Sequence, residues 1–313
     1  MLNSGLPEPG HTLGALLDHW LEVGASTWKP STLAEYRRIA RLIREQLGDP
    51  LLGKIIPARL AALYAKFRDK PRNALYLHQA LHCALGLALR YGWIAANPAD
   101  KVQRPGYHKK ERQLWSVEQC RQFIAGTSDS PYWPLWTLAI TTGLRSGELT
   151  ALLWSDIDGQ NHTLKVERTQ RRIGKQWVVN PPKTASGRRT VHLGPLARQA
   201  IQRQKALQAE WRLRAGPGWN DKGLMFSNRN GGPLEPATVR QGLVKSCHAL
   251  GLPVITFHTL RHLAASLALQ AGAPVAMVSR NLGHANVAIT TTVYSHAIGD
   301  CRLVADALEK ALG

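Results

Sequence analysis

Apolar residues first recur at helical spacing at Leu13, Leu16, Leu17, Trp20 and Leu21, after a lead-in over residues 1–10 that holds Gly5, Pro7, Pro9 and Gly10. A second stripe, Leu33, Tyr36, Ala40, Ile43 and Leu47, ends at Gly48, and Thr32 with Glu35 reads as its capping box after Pro30. A third helix is predicted near Pro57–Phe67 and a fourth from Arg72 to Tyr91, with Leu75, Leu81, Leu85 and Leu89 inside. Asn97-Pro98 stops the pattern, and Lys101–Arg112 has no apolar period. Beyond it, Ser116 and Gln119 open a helix, another over Pro134–Thr142 breaks at Gly143, and a further one spans Ser146–Leu153. Thr163–Arg168, Gln176–Asn180 and Thr190–Leu193 alternate like strands of one small antiparallel sheet, and the remainder reads as mostly helical. The pattern predicts a helical domain over 11–99, an exposed linker over 100–112 and a larger domain over 113–313.

Charge sharpens this picture. The 313 residues carry 40 Lys and Arg against 21 acidic residues, a net charge of +19. The excess is +8 up to Arg112 and +11 after it, so it belongs to both folded halves rather than to a tail. A folded chain basic throughout suits a long polyanion, because phosphates neutralised by protein release their counterions. In the second helix Arg37, Arg38, Arg41 and Arg44 lie opposite the apolar stripe; a charged face is usually just solvated, but here the nearly uniform sign favours phosphate contact. Lys109 and Lys110 make the linker basic too.

Cys83, Cys120, Cys247 and Cys301 form no CxxC pair and read as small core residues in a reducing compartment. The sequence has neither a signal-peptide pattern nor about 18 uninterrupted apolar residues, so a cytoplasmic protein without a membrane span is expected.

Candidate chemistry sits in four strings. In Thr141-Thr142-Gly143-Leu144-Arg145-Ser146-Gly147-Glu148-Leu149, Glu148 is placed to hold the Arg145 guanidinium, although such pairs are more often structural than functional. Pro182-Lys183-Thr184-Ala185-Ser186-Gly187-Arg188-Arg189 lies in the turn between the second and third predicted strands, where Lys183 on a hairpin tip could reach a cleft, the alternative being an ordinary exposed basic turn, and Arg188 is a candidate DNA contact. In His258-Thr259-Leu260-Arg261-His262, His258 and Arg261 share a helix face and together could grip a phosphate and move a proton. His258 and His262 also have the spacing of a zinc-binding helix, but no Glu follows the first His and Arg261 would repel a cation, so no metal or other cofactor is expected. The fourth string runs from Leu282-Gly283-His284 to Thr290-Thr291-Thr292-Val293-Tyr294-Ser295-His296.

Taken in order, Arg, Lys, H-x-x-R, L-G-H and Tyr, these strings resemble the tyrosine recombinases of the phage-integrase type, and the resemblance runs from about residue 11 to the end. It implies a mainly α fold with a small antiparallel sheet, arranged as a two-domain DNA clamp whose helical N-terminal domain binds core sites. It implies a site-specific recombinase that cuts and rejoins double-stranded DNA through a 3′-phosphotyrosine, without metal or ATP. By the same resemblance Tyr294 is the nucleophile and Arg145 and Arg261 bind the phosphate. Lys183 is the general acid and His258 the proton acceptor. His284 is a phosphate donor and support for the nucleophile, and Glu148 braces Arg145. The family acts as a homotetramer on two DNA duplexes. The last predicted helix, about Asp300 to Leu312, either docks on a neighbouring subunit or packs on its own domain. So few residues precede the first helix that no separate arm-binding domain is expected, which implies action at core sites alone or with accessory DNA-bending proteins. The competing readings are a type IB-like DNA topoisomerase with the same chemistry, a non-catalytic DNA-binding protein on the same fold, and an RNA-binding protein. The last would call for aromatic stacking platforms, whereas the ten tryptophans fall mainly in apolar periodic segments.

Overall fold

In the computed structural model, which describes residues 10–107, 113–174, 176–182, 185–284, 286–288 and 291, the chain divides into two units, Met1–Lys110 and Glu111–Gly313.

The first unit is built on four helices. α1 (Leu13–Ala25) starts where the Thr12 hydroxyl accepts from the Ala15 N–H. α2 (Pro30–Leu47), α3 (Pro57–Ala65) and α4 (Pro71–Arg90) each open on a proline, whose missing N–H is not needed in a first turn. Pro30 therefore replaces the capping box expected at Thr32: Lys29 is the cap, without a side-chain bond, and Glu35 pairs with Arg38 at 2.7 Å. α4 packs against the other three helices and gives the core Leu77, Leu81, Ala84 and Ala88. Cys83 and Leu89 lie off that stripe and are exposed, contrary to expectation. The 3₁₀ turn Pro98–Lys101 also packs on α4, and Val102 on the same core, so this unit includes the first residues read as linker.

The second unit begins with α5 (Val117–Gly126), where Ser116 and Gln119 form the expected capping box in both directions. α6 (Trp133–Thr142) is nearly all buried, with Trp136 1% exposed, and forms the spine against which later helices pack. It stops at Gly143, whose φ of +66° is left-handed. α7 (Ser146–Leu149) is a single turn, shorter than the helix expected to Leu153, because the chain turns at Leu152–Leu153 toward a bridge with Leu224. β1 (Ile157–Asp158), β2 (Thr163–Val166) and β5 (Arg189–His192) form one antiparallel sheet in the order β1-β2-β5. β3 (Thr169–Ile173) and β4 (Gln176–Asn180) form a separate hairpin. The single sheet predicted is thus two, and the strand opposite β4 is one that the alternation did not reveal. α8 (Pro195–Ala215) packs against α6, α9 (Pro236–Ala249) adds Val239 and Leu243 to the core, and α10 (Phe257–Gln270) also packs against α6. α11 (Val275–Leu282) packs on α10 and ends at Gly283. Among the described residues no helix is long and apolar enough to cross a membrane.

Candidate active site

The site is assembled around the C-terminus of α11. The last carbonyls of a helix lack partners within it and carry the negative end of its dipole. Here three successive carbonyls each face a different arginine. Arg189 donates from Nε to Asn281 at 2.6 Å, Arg261 from Nη2 to Leu282 at 2.6 Å, and Arg145 from Nη2 makes a longer 3.4 Å contact with Gly283. Guanidinium groups gathered this closely repel one another, and the helix terminus supplies part of the compensating negative potential.

Glu148 supplies the rest. Arg145 is the N-cap of α7, and its backbone N–H donates to Glu148 Oε2 at 2.9 Å while its Nη1 donates to Oε1 at 2.7 Å. From the other side Arg189 reaches the same two oxygens, Nη2 to Oε2 at 2.9 Å and Nη1 to Oε1 at 3.3 Å. Burial pushes the Glu148 carboxyl up, but the hydrogen bond and charge of Arg189 and the N–H and charge of Arg145 outweigh it, so it titrates below the ordinary glutamate value.

Arg261, 2% exposed, also donates from Nη1 to the Gly143 carbonyl at 2.8 Å. A side chain at Gly143 would meet Leu282 Cδ2 at 2.6 Å, so the left-handed turn ahead of Arg145 packs directly on the last residue of α11. His258 sits one turn before Arg261 on α10, and its ring meets that of His262 edge-on with centroids 4.6 Å apart. His284 follows the left-handed Gly283 and is half-buried. Burial first, then the charges of Arg261, Arg145, Arg189 and His258, push its imidazole down to about 4, so it is neutral near pH 7.

A cleft of about 610 Å³ opens beside these groups. Arg145, Arg171, Arg172, Arg240 and Arg261 line it with His258, over Leu135, Val239 and Phe257. Among the described residues no carboxylate lines it, although Glu235 pairs with Arg172 nearby.

Of the residues singled out from sequence, Arg145, Glu148, Arg261 and His284 converge, and His258 shares the cleft with Arg145 and Arg261. Arg188 is exposed just before β5. β4 and β5, expected as neighbours in one sheet, belong to different sheets. Lys183, Tyr294, Lys109, Lys110, Cys301 and the last predicted helix lie outside the described residues. In the first unit Arg37, Arg38 and Arg41 are exposed on α2. Arg44 instead turns to α1, pairing with Asp18 at 2.6 Å and donating to the Gly14 carbonyl at 2.9 Å.

Sequence reasoning missed Arg189. The signal was present: Arg189 and Val191 are two apart on β5, so they share the inward face.

The sequence profile described as the phage integrase family matches residues 118–298. The chain belongs to the phage integrase family. It is a tyrosine-type site-specific DNA recombinase, and the topoisomerase reading is not favoured. A tyrosine recombinase XerC-like protein of Caldanaerobacter subterraneus subsp. tengcongensis is 28% identical over 311 residues, spanning 92% of this chain and 80% of the relative. Among solved structures, the Tn1549 transposon integrase in complex with a circular intermediate DNA matches with a TM-score of 0.78 at 20% identity, over 97% of this chain and 100% of that one. A lambda integrase tetramer bound to a Holliday junction matches with a TM-score of 0.73 at 22% identity, over 94% of this chain and 80% of that one. These likenesses establish the fold: mainly helical, with small antiparallel sheets. The family profile covers all of the assembled site.

Proposed function

We propose that this recombinase cuts and rejoins duplex DNA with Tyr294 as nucleophile, Arg145 and Arg261 binding the scissile phosphate, His258 accepting the tyrosine proton and Lys183 protonating the leaving oxygen. The observation that carries this reading is the convergence of Arg145 and Arg261 on the α11 terminus, ahead of His284, with His258 beside them in an arginine-lined cleft.

The chemistry follows from these groups. Tyr294 Oη attacks phosphorus, the P–O5′ bond breaks, and a 3′-phosphotyrosine forms. The phenol has an ordinary pKa of about 10, so its proton needs an acceptor, assigned to His258. The departing 5′-oxygen takes a proton from Lys183. Negative charge accumulates on the non-bridging oxygens as phosphorus becomes five-coordinate, and planar guanidinium forks held in place before substrate arrives stabilise it without reorganisation. His284, neutral by virtue of burial and its cationic neighbours, donates a hydrogen bond to the same phosphate. Attack by a second 5′-hydroxyl reverses the sequence and reseals the strand, so no bond energy is lost to hydrolysis.

The first unit is assigned to core-site DNA, with Arg37, Arg38 and Arg41 on the phosphate-facing side of α2 and Lys109, Lys110 and Arg188 as further backbone contacts. The working assembly is a homotetramer on two duplexes in the cytoplasm, with or without accessory DNA-bending proteins. Support for the tetramer comes from the lambda integrase assembly on a Holliday junction.

The test is a nicked suicide substrate, in which the cleaved fragment diffuses away and the covalent species accumulates. Wild type is expected to give a covalent protein–DNA band on a denaturing gel, and Tyr294→Phe to bind equally and give none. A covalent band from Tyr294→Phe refutes the assignment.

A further inference from the structure

From the contacts of its side chain we infer that Arg189, to which neither the motif nor the proposed chemistry gives a role, is a positioning residue that aims Arg145 through Glu148 and fixes the His284 turn through the Asn281 carbonyl. The inference rests on the reading of Arg145 as a phosphate-binding group.

Three observations carry it. First, Arg189 does not face the substrate: its side chain is 5% exposed, against 43% for Arg145. Second, its fork is spread over three separate segments around the site. Nη1 and Nη2 hold both oxygens of Glu148, Nε holds the Asn281 carbonyl at 2.6 Å, and Nη1 also reaches the Gly187 carbonyl at 3.0 Å. Third, the His284 turn rests on the Arg189 side chain itself. A Cβ at Gly283 would lie 3.0 Å from Arg189 Nη1 and 3.2 Å from Cδ.

Glu148 alone does not fix Arg145, because a carboxylate held from one side only can swing with its partner. Held from both sides, it becomes a rigid bridge whose far end is anchored to β5. Only arginine can serve, since five donors in a fixed plane meet four acceptor oxygens on three residues, whereas a lysine ammonium is one point on a flexible stem. Displacing a substrate-binding group by about 1 Å costs on the order of 100-fold in rate. Arg189 thus acts on the rate through the aim of Arg145.

The test compares Arg189→Met, Arg189→Lys and Arg145→Ala in the full-length chain, on suicide substrates carrying either a phosphate or a methylphosphonate at the scissile position. The methyl group removes one anionic oxygen, so a misaimed cation matters less on that substrate, while a globally loosened protein is impaired on both. Arg189→Met is expected to keep DNA binding, to slow covalent-complex formation on the order of 100-fold on phosphate, and to recover most of that loss on methylphosphonate. Arg145→Ala is expected to show the same substrate dependence. Arg189→Lys keeps the charge but not the fork, and is expected to be slowed on phosphate with unchanged binding. It decides the matter by itself where Arg189→Met does not fold. Equal losses on both substrates for the Arg189 variants, with Arg145→Ala still substrate-dependent, overturn the positioning role alone. Equal losses for Arg145→Ala overturn the reading of Arg145 and the inference with it. Wild-type rates from Arg189→Lys also overturn the inference.

Discussion

Glu148→Gln isolates the charge of the buried bridge while keeping its shape. The glutamate side chain is 3% exposed and accepts four hydrogen bonds, two from Arg145 and two from Arg189. Glutamine supplies one acceptor oxygen and one NH₂, so whichever way the amide turns, a donor faces a donor. The two arginines respond unequally. Arg145 is 43% exposed and solvent takes over much of its compensation, so its share of the loss is within about 1 kcal/mol. Arg189 is 5% exposed and is left as a buried charge without a carboxylate, for which removing one partner costs about 3–5 kcal/mol. Its remaining ties to the Asn281 and Gly187 carbonyls place the expected loss at the lower end, about 3 kcal/mol in all. In equilibrium urea unfolding this is a lowered midpoint at unchanged slope. In a thermal scan it is a drop of about 6–12 °C for a unit of roughly 200 residues. The pH dependence gives an independent check. Because Glu148 titrates below its ordinary value in the folded state, its stabilisation is fully present above the ordinary carboxylate range and is lost as pH falls through the folded value. The gap between wild type and variant therefore closes toward acid. A loss below about 1 kcal/mol at neutral pH, the size of an exposed pair, would refute the reasoning.

Other outcomes follow from the same geometry. His284, pushed down to about 4, binds fewer protons folded than unfolded between that value and 6.5, so its contribution to stability is complete above about 6.5 and is lost as pH falls toward 4. An imidazole titration by NMR with its midpoint at 6 or above contradicts this. Gly283→Ala places a side chain at φ +67° and 2.8 Å from the Ser186 carbonyl. It should cost at least 1–2 kcal/mol, roughly the left-handed penalty alone, and should slow cleavage; a variant with wild-type urea midpoint and rate sinks the point. Arg261→Ala should slow covalent-complex formation by about 10²–10³-fold, the usual loss for one charge-stabilising donor. A suicide-substrate rate within a few-fold of wild type would remove Arg261 from the phosphate site. Cys83 is exposed, while Cys120 is buried and burial, with Glu118 nearby, raises its thiol to about 11. Alkylation mapped by mass spectrometry should reach Cys83 before Cys120, and the reverse order contradicts the packing of α4 and α5.

The helices were legible because their signals are local. The Ser116–Gln119 box closes within four residues, and the stripe of α4 needs only its own period. The small errors were local as well: a proline at N1 outranked Thr32 as a start signal, and Leu89 drifted off the buried stripe in the final turn. Strand pairing was not legible. β2 pairs with β5 across the whole intervening hairpin, and β3, Thr-Gln-Arg-Arg-Ile, is too polar to announce a strand until β4 is placed beside it. The site divides in the same way. Arg145, Arg261 and His284 stand in strings whose order carries the family resemblance, and the structure brings them together. Arg189 stood in one of those strings too, but its work depends on Glu148, 41 residues away, and on Asn281, 92 residues away.

That division has a physical reason. A site for an anionic transition state needs several cations close together, and the net charge of +19 does nothing to hold them there; in water they would spread apart. What holds them is negative charge that cannot leave: the carbonyls ending α11 and one buried carboxylate. Each arginine is then anchored through the donors of its fork. Arg145 is anchored through Nη1 to Glu148 and remains 43% exposed toward the cleft side. Arg261 is anchored through two carbonyls belonging to different segments, Gly143 and Leu282. Lysine could supply the charge at either position but not the anchoring, because a compact ammonium on a flexible stem lacks the fixed planar fork that meets several differently placed acceptors. Arg189 extends the logic by one layer. It is an arginine with no substrate to bind, kept because the carboxylate that aims Arg145 must itself be aimed.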